Sequence, residues 1–328
     1  MAQRDGTGRR IVMGVGAVLI TAWGAIGLVA GLNSGFSGGL YDPSYRVVGL
    51  WPGGLADRSG FKDGDRVVSV EGRPVEELGM ESRWPRALAP GIGESRRFVV
   101  EREGKQVALD VVFPPPSTEA ANNRVRAGLV GLFFLGCGLW VFLTVDSRHA
   151  RQLALIGLAA GVSASTGLGP SLGSWSGVQG HVSTATSALL LILLLRFFVT
   201  FPASKAVGES RLAAWIVYGT WGCLVAFLLV ELAVHPKLYY STGEVAGPLT
   251  AVYVLLIAAA IVHTFWRGPA ATLRASGMYW VLGGLLLAIA GMVVMPMIVW
   301  GAWAWVQAVP ILAVPLSMAL AVRRHARI

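Results

Sequence analysis

Eight long runs of apolar residues constrain the fold of this 328-residue chain more than any other feature. About 20 residues of α-helix cross the roughly 30 Å hydrocarbon core of a bilayer. The first run covers residues 11–31, and the other seven follow residue 124. These seven are residues 125–145, 153–170, 182–201, 212–234, 247–266, 276–299 and 304–322. The sequence therefore predicts a multi-pass α-helical membrane protein with about eight transmembrane helices, in contact with the lipid bilayer.

The overall composition indicates the same class of protein. Hydrophobic residues make up 54% of the chain and charged residues only 14%, whereas soluble domains carry about 25% charged residues. The net charge of +9 does not indicate nucleic-acid binding, because the basic residues lie in the predicted loops and the soluble part, as in other membrane proteins. Arg, Ala and Gly are abundant, which is typical of a GC-rich bacterial genome.

The distribution of basic residues between the loops predicts how the chain is oriented. With both termini in the cytoplasm, the inner segments hold 12 Arg or Lys residues and the short outer loops hold only Lys237. This asymmetry agrees with the positive-inside rule, although Arg124 and Arg126 at the outer edge of the second span run against it. The predicted parts are a cytoplasmic N-terminus (1–10), a transmembrane anchor (11–31), an extracytoplasmic domain (40–116), a seven-helix bundle (125–322) and a cytoplasmic tail (323–328).

The location predicted for the protein is the bacterial plasma (inner) membrane. A secretory signal peptide cleaved after Ala30 is the alternative for the first apolar run. The apolar core of a signal peptide usually has about 7–15 residues, and this run is longer, so a retained anchor is favoured.

Residues 47–75 have the pattern of a compact water-soluble domain. Val47–Leu50 and Arg66–Val70 are apolar runs of strand length. Between them, residues 55–59 predict one helical turn that Gly60 closes. Strand, short helix and strand in this order predict a small α+β domain between the first and second transmembrane helices.

The spacing within this stretch resembles the core of bacterial PDZ domains. The shared pattern is a Pro-Gly-Gly step at 52–54, a Gly60-Phe61-x-x-Gly64-Asp65 step and a Val-x-Gly-x-Pro-Val turn at 70–75. The resemblance covers about residues 41–113, under a quarter of the chain. It implies a groove helix at 81–88 and a closing hairpin of 98–102 and 107–113.

The resemblance also implies how the domain binds its partner. A PDZ domain adds an extended peptide as a strand to an exposed sheet edge, and backbone N–H groups capture the terminal carboxylate. The expected partner is therefore a peptide or a protein C-terminus on the extracytoplasmic side. Arg46 would favour a carboxylate, with a solvated surface charge as the alternative. A PDZ-like fold that no longer binds peptide is the alternative for the domain as a whole. The predicted peptide-binding residues are Ser44, Tyr45, Arg46, Val47, Val48, Gly49, Leu50, Trp84 and Leu88.

The membrane part resembles the seven-span sensor module of bacterial histidine kinases. Residues 196–202, Arg-Phe-Phe-Val-Thr-Phe-Pro, end a span in a Phe-Pro step at the predicted cytoplasmic side. Some of those kinases carry an extracytoplasmic PDZ-like domain between a first anchor and seven further spans. Residues 323–328 stand where such proteins pass to a cytoplasmic linker, and kinase activity is not expected because no kinase domain follows.

Motifs of known enzymes do not indicate a catalytic site. The sequence has no His-Glu-x-x-His, so the zinc chemistry of site-2-type membrane metalloproteases, which also carry PDZ domains, is not expected. Ser171 and His263 are predicted at opposite membrane faces, which excludes a Ser/His dyad. The sequence therefore predicts a protein that is not an enzyme and has no cofactor and no metal site.

The function predicted from these features is that of a membrane receptor. A bound peptide would change helix packing in the bundle, and a separate cytoplasmic signalling partner would respond. A membrane-anchored PDZ adaptor or scaffold for envelope proteins or a protease is the alternative. A transporter is a remote alternative, because Gly- and Pro-interrupted spans can form broken helices.

Overall fold

The computed structural model describes residues 2–32, 39–41, 45–50, 55–75, 91–115, 118–168, 176–202, 210–234, 242–298 and 306–327. The first half contains α1 Ala2–Leu32, β1 Gly39–Tyr41, β2 Val47–Leu50, α2 Leu55–Arg58, β3 Arg66–Val70, β4 Arg73–Pro74, β5 Ser95–Arg102 and β6 Lys105–Val112. The second half contains α3 Thr118–Thr144, α4 Arg148–Leu168, α5 Ser176–Thr200, α6 Arg211–Val234, α7 Thr242–Arg267, α8 Ala270–Ala275, α9 Met278–Ile298 and α10 Val309–His325. The helices from α3 onward and the β-rich unit have separate hydrophobic cores.

Six helices in the described part of the chain are long and apolar enough to cross a membrane. Their apolar segments are Arg10–Val29, Ala121–Thr144, His181–Thr200, Gly247–Arg267, Met278–Met295 and Val306–His325. The prediction of a multi-pass α-helical membrane protein is therefore confirmed. The number of eight spans, the domain limits, the inner-membrane location and the sidedness stay predictions.

The other two predicted spans also form helices, and each falls outside this set of six for a different reason. α6 carries a shorter apolar stretch, Tyr218–Val230. α4 has 21 residues rich in Ala, Gly and Ser, and it packs against α1, α3, α5 and α10. A helix enclosed by other helices contacts little lipid, so small and weakly polar residues suit its surface. The modest hydropathy of α4 therefore follows from its central place in the bundle.

Glycines allow α3 and α4 to approach each other closely. A Cβ atom on Gly138 of α3 would lie 2.6 Å from the carbonyl oxygen of Leu153. A Cβ atom on Gly157 of α4 would likewise lie 2.6 Å from the carbonyl oxygen of Phe134. These separations are too short for any side chain, so glycine is required at both positions. Close backbone approach through small residues is a main source of helix association in membranes.

An aromatic cluster closes the bundle at the ends of α5 and α10. Phe197 and Phe201 are fully buried, and their rings stack with centroids 5.0 Å apart. The rings of His149 and His325 meet the ring of Phe201 edge-on, at 5.2 and 5.3 Å. The peptide bond between Phe201 and Pro202 is cis. These contacts explain the Phe-rich segment by packing alone.

The β-rich unit consists of two antiparallel sheets. One contains β1 and β2, and the other has the strand order β4-β3-β5-β6. The predicted strands Val47–Leu50 and Arg66–Val70 are confirmed, as is the closing hairpin, whose turn residues Glu103 and Gly104 both have positive φ. Positive φ at both central residues characterises the tight turns that suit the twist of a hairpin. The predicted groove helix at 81–88 lies outside the described residues.

Three phenylalanines form the centre of the core in this unit. The ring centroid of Phe98 lies 5.5 Å from that of Phe61 and 6.4 Å from that of Phe113. The remaining buried core residues are small or β-branched: Val47, Ala56, Val67, Val70, Val75, Val100 and Val111. This core joins β2 and α2 to the four-stranded sheet, so it fixes the position of the strand that was predicted to bind peptide.

The substitution Gly138→Ala tests the close contact between α3 and α4. The added methyl group must push the two backbones apart, and we expect a loss of about 1–3 kcal/mol in unfolding free energy. The measurement is thermal unfolding of the full chain in detergent. Gly136→Ala is the matched control, because a Cβ atom there has nothing within 4 Å. Equal stability of the two variants would contradict the required role of glycine at position 138.

Candidate peptide-binding site

The candidate site is built on the small sheet of β1 and β2. The two strands run antiparallel, with Gly39 opposite Leu50 and Leu40 opposite Gly49. The register shifts between Leu40 and Tyr41, and an irregularity of this kind bends a strand. Within the residues that the structure describes, β1 pairs with β2 alone. Among those residues, no strand lies on the second side of β1.

β2, in contrast, has main-chain partners on both sides at its first residue. One side pairs with β1. On the other side, the N–H of Val47 donates to the carbonyl oxygen of Asp65 at 2.8 Å, and the carbonyl oxygen of Val47 accepts from the N–H of Gly64 at 2.8 Å. Just before the strand, the N–H of Val67 donates to the carbonyl oxygen of Tyr45 at 2.9 Å. The start of β2 thus uses its main-chain groups within the domain.

The predicted peptide-binding residues fall into two groups. Six lie in β2 or directly before it: Tyr45, Arg46, Val47, Val48, Gly49 and Leu50. Three lie outside the described residues: Ser44, Trp84 and Leu88. The side chain of Val47 is buried in the core, whereas Arg46 is exposed and forms an isolated antiparallel bridge with Arg66. Contact of these nine residues with a peptide stays a prediction.

An ion pair between a buried carboxylate and a partly exposed guanidinium holds the loop that bonds to β2. The side chain of Asp65 is 1% exposed and accepts hydrogen bonds from Nε and Nη2 of Arg102 at 2.8 and 2.7 Å. The N–H of Lys62 donates to the same carboxylate at 2.8 Å, and Nη2 of Arg102 also donates to the carbonyl oxygen of Gly60 at 2.7 Å. A two-pronged contact between guanidinium and carboxylate is among the strongest side-chain interactions. It ties β5 to the loop that fixes Val47.

This ion pair gives a physical reason for the Gly-Phe-x-x-Gly-Asp pattern. Gly60 and Gly64 have φ values of +87° and +88°, which residues with a Cβ atom rarely adopt. These two turns place the carboxylate of Asp65 against Arg102. The partners are 37 positions apart in sequence, so no local spacing could reveal Arg102 as the partner.

The environment of Asp65 changes its acidity. Burial by itself raises the pKa of this carboxyl, but the hydrogen bonds from Arg102 and from the N–H of Lys62 outweigh burial and lower the pKa below its ordinary value. Asp65 is therefore ionised over the physiological range, and its charge strengthens the contact with Arg102.

Known proteins match only a part of this chain. No family model and no solved structure matches it. Over 88 residues, the chain is 36% identical to proteins named "Putative zinc metalloprotease" in Brucella suis and Brucella melitensis. Over 62 residues, it is 44% identical to "Putative protease Do-like 14" of Arabidopsis thaliana. The matches cover 26% and 19% of this chain and only 22% and 12% of the relatives' own lengths.

These relatives support one prediction. The two kinds of protease both come from PDZ-containing families, which agrees with the PDZ resemblance of the soluble part. None of the three is named as a kinase or a sensor. The resemblance of the membrane part to a kinase sensor module therefore has no support.

Two other predictions are wrong. The chain was expected to be a signalling receptor and not an enzyme, whereas the relatives are named as proteases. The reason is that apolar spans indicate only that a protein resides in a membrane. They do not indicate whether it signals or catalyses a reaction. The alternative that linked the PDZ-like unit to a protease agrees better with these relatives.

The residues present do not fit the zinc that the names of the relatives imply. A catalytic zinc ion is held by three protein ligands such as His, Cys, Asp or Glu, with one open position. The sequence contains no His-Glu-x-x-His. Across the described ranges, no group of three or more His, Cys, Asp and Glu side chains comes together.

The substitution Arg102→Ala tests the ion pair. It leaves the charge of Asp65 buried without its partner, and we expect the β-rich unit to lose about 3 kcal/mol of stability. Hydrogen exchange of the full chain, followed over residues 61–70 and 95–102, measures this loss. Arg96→Ala is the control, because Arg96 pairs with Glu94 at the surface and should contribute less than about 1 kcal/mol. A similar loss of stability in the two variants would show that the pair of Asp65 and Arg102 contributes no more than a surface ion pair.

Acid should lower the stability of the β-rich unit. The folded pKa of Asp65 is lowered, so its contribution to stability is fully present above the unfolded pKa of about 3.9 and is lost as the pH falls through the lower folded pKa. The protection factors of residues 61–70, which correct for the slowing of intrinsic amide exchange in acid, should therefore fall below about pH 4. In Asp65→Asn, this part of the acid response should be missing, and an unchanged response would contradict the assignment.

Proposed function

We propose that this protein is a membrane-bound PDZ protein of a proteolytic system. Its PDZ-like unit captures an extended peptide or a protein terminus, and the transmembrane helices keep that polypeptide at the membrane where it is cleaved. The identity to proteins named as proteases supports this proposal, together with the membrane helices. We place the unit on the extracytoplasmic side of a bacterial plasma membrane, in accordance with the distribution of basic residues.

The observation that carries the proposal is the open side of β1. In the described part of the sheet this strand has one neighbour, whereas Val47 in β2 already bonds to the loop at 64–65. A strand with one unpaired side presents a row of N–H and C=O groups that an incoming peptide satisfies. The peptide would therefore add to Gly39–Tyr41, next to the β2 residues that the sequence indicated.

Strand addition has a signature that can be measured on the ligand. In an antiparallel or parallel ladder, every second peptide residue directs its N–H towards the neighbouring strand. A heptapeptide selected from a library with random C-terminal sequences serves as the probe, and its fluorescence anisotropy reports binding to the full chain. N-methylation at successive positions should weaken binding at alternate positions, by about fivefold or more at each sensitive one. A uniform effect, or no effect, would exclude strand addition.

The role in proteolysis has a separate test in cells. Pulse-chase proteomics of envelope proteins is compared between cells with the full chain, cells without it and cells whose chain carries Arg102→Ala. We expect some envelope proteins to persist longer in the latter two strains, because their capture requires an intact β-rich unit. If all half-lives are the same in the three strains, the link to proteolysis is wrong even where peptide binding is found.

A further inference from the structure

A cleft of about 680 Å³ lies between α3, α4, α5 and α10. Its volume is in the range of small-molecule sites, about 300–1,000 Å³. Asn123, Arg124 and Arg126 lie at the end where α3 begins. The walls farther along are mostly apolar, with Val130, Phe134 and Ile311, and they include Ser163. The cleft therefore combines a basic mouth with an apolar interior, which suits a ligand with an anionic head and an apolar tail.

The two arginines oppose the charge distribution of the other segments. They lie at the predicted outer membrane edge, where the short loops contain only Lys237. Arg126 donates hydrogen bonds to the side-chain oxygens of Gln307 and Asn123, so its guanidinium is held at the mouth of the cleft. Guanidinium groups match the geometry of a phosphate and bind it through paired hydrogen bonds. A phosphate at this mouth would lie beside the guanidinium of Arg126.

The length of the cleft matches half of a bilayer. Arg124 and Phe134 are ten residues apart on α3, a rise of about 15 Å. One leaflet of the hydrocarbon core is about 15 Å thick. A lipid whose phosphate lies at Arg124 and Arg126 can therefore extend an acyl chain along the apolar wall to Phe134.

We propose that this cleft binds one anionic phospholipid of the outer leaflet. Its phosphate contacts Arg124 and Arg126, and one acyl chain lies against α3 and α10. A hydrophobic peptide with a free C-terminus would carry the same charge. However, its backbone N–H and C=O groups would lack partners along Val130, Phe134 and Ile311, and this costs free energy in an apolar site. The chemistry of the walls therefore favours an acyl chain.

Retention of phosphatidylglycerol by the purified full chain tests the site, with native mass spectrometry as the readout. We expect the double variant Arg124→Gln, Arg126→Gln to retain it at least about tenfold less tightly than the unaltered chain. Arg267→Gln is the matched control, since it removes one exposed arginine at the end of α7. The variant with Lys at both positions keeps the charge and should retain an intermediate amount. Equal retention in the double variant and the control overturns the proposal.

A second variant tests the apolar part of the cleft without changing its charge. Ala127 is exposed and lines the cleft, so Ala127→Trp fills the space without displacing a buried neighbour. This variant should retain less phosphatidylglycerol while its unfolding temperature in neutral phosphatidylcholine stays the same. Retention equal to that of the unaltered chain would show that no acyl chain enters.

Competition distinguishes the possible sources of the anion. Unlabelled phosphatidylglycerol should displace the bound lipid, whereas inorganic phosphate and an apolar peptide with a free C-terminus should not. Displacement by phosphate alone would indicate a simple anion site, and displacement by the peptide would indicate a polypeptide site. Either result overturns the lipid assignment and leaves the proposed peptide capture by β1 untouched, because the N-methylation experiment tests that capture separately.

Discussion

The close approach of α3 and α4 is the contact on which the membrane part of this structure depends. Gly131 and Gly138 on α3, with Gly157 on α4, leave no room for a Cβ atom where the helices meet. Since lipid tails are as apolar as the helix surfaces, helices in a bilayer gain little from hydrophobic burial and depend on such steric fit. Once α4 is paired with α3, helices α1, α5 and α10 cover most of its remaining surface. The same glycine-mediated contact forms part of the cleft, because Gly131 also lines it.

The β-rich unit depends on a different kind of interaction. Its sheets are joined by a buried carboxylate, Asp65, that is paired with Arg102 at 2.7 Å. This contact orients the loop whose main chain bonds to Val47. An ion pair at the margin of a small apolar core thus fixes the start of β2. The membrane helices are held together by steric fit, whereas the β-rich unit is ordered by a polar contact between Asp65 and Arg102.

The receptor interpretation failed because it gave the number of spans more weight than the binding unit. Many unrelated functions share one architecture, so an arrangement of helices constrains function weakly. The Gly-Phe-x-x-Gly-Asp step reports a specific local geometry, and the PDZ resemblance that it carries agrees with relatives from PDZ-containing protease families. Likewise, the segment at 196–202 resembled a sensor motif, yet the packing of Phe197 and Phe201 accounts for it.

The sequence by itself determined the membrane class, the strands Val47–Leu50 and Arg66–Val70 and the hairpin around Glu103 and Gly104. These features depend on local hydropathy, on the alternation of apolar and polar residues and on the residue types in turns. All three can be seen among residues that are close together in the sequence. Only the tertiary structure decided that Asp65 meets Arg102, that Val47 bonds to the loop at 64–65, that α4 packs against four helices and that Arg126 meets Gln307 across the mouth of a cleft. Each of these contacts joins residues far apart in the chain, and such pairs leave no periodic signal in one sequence.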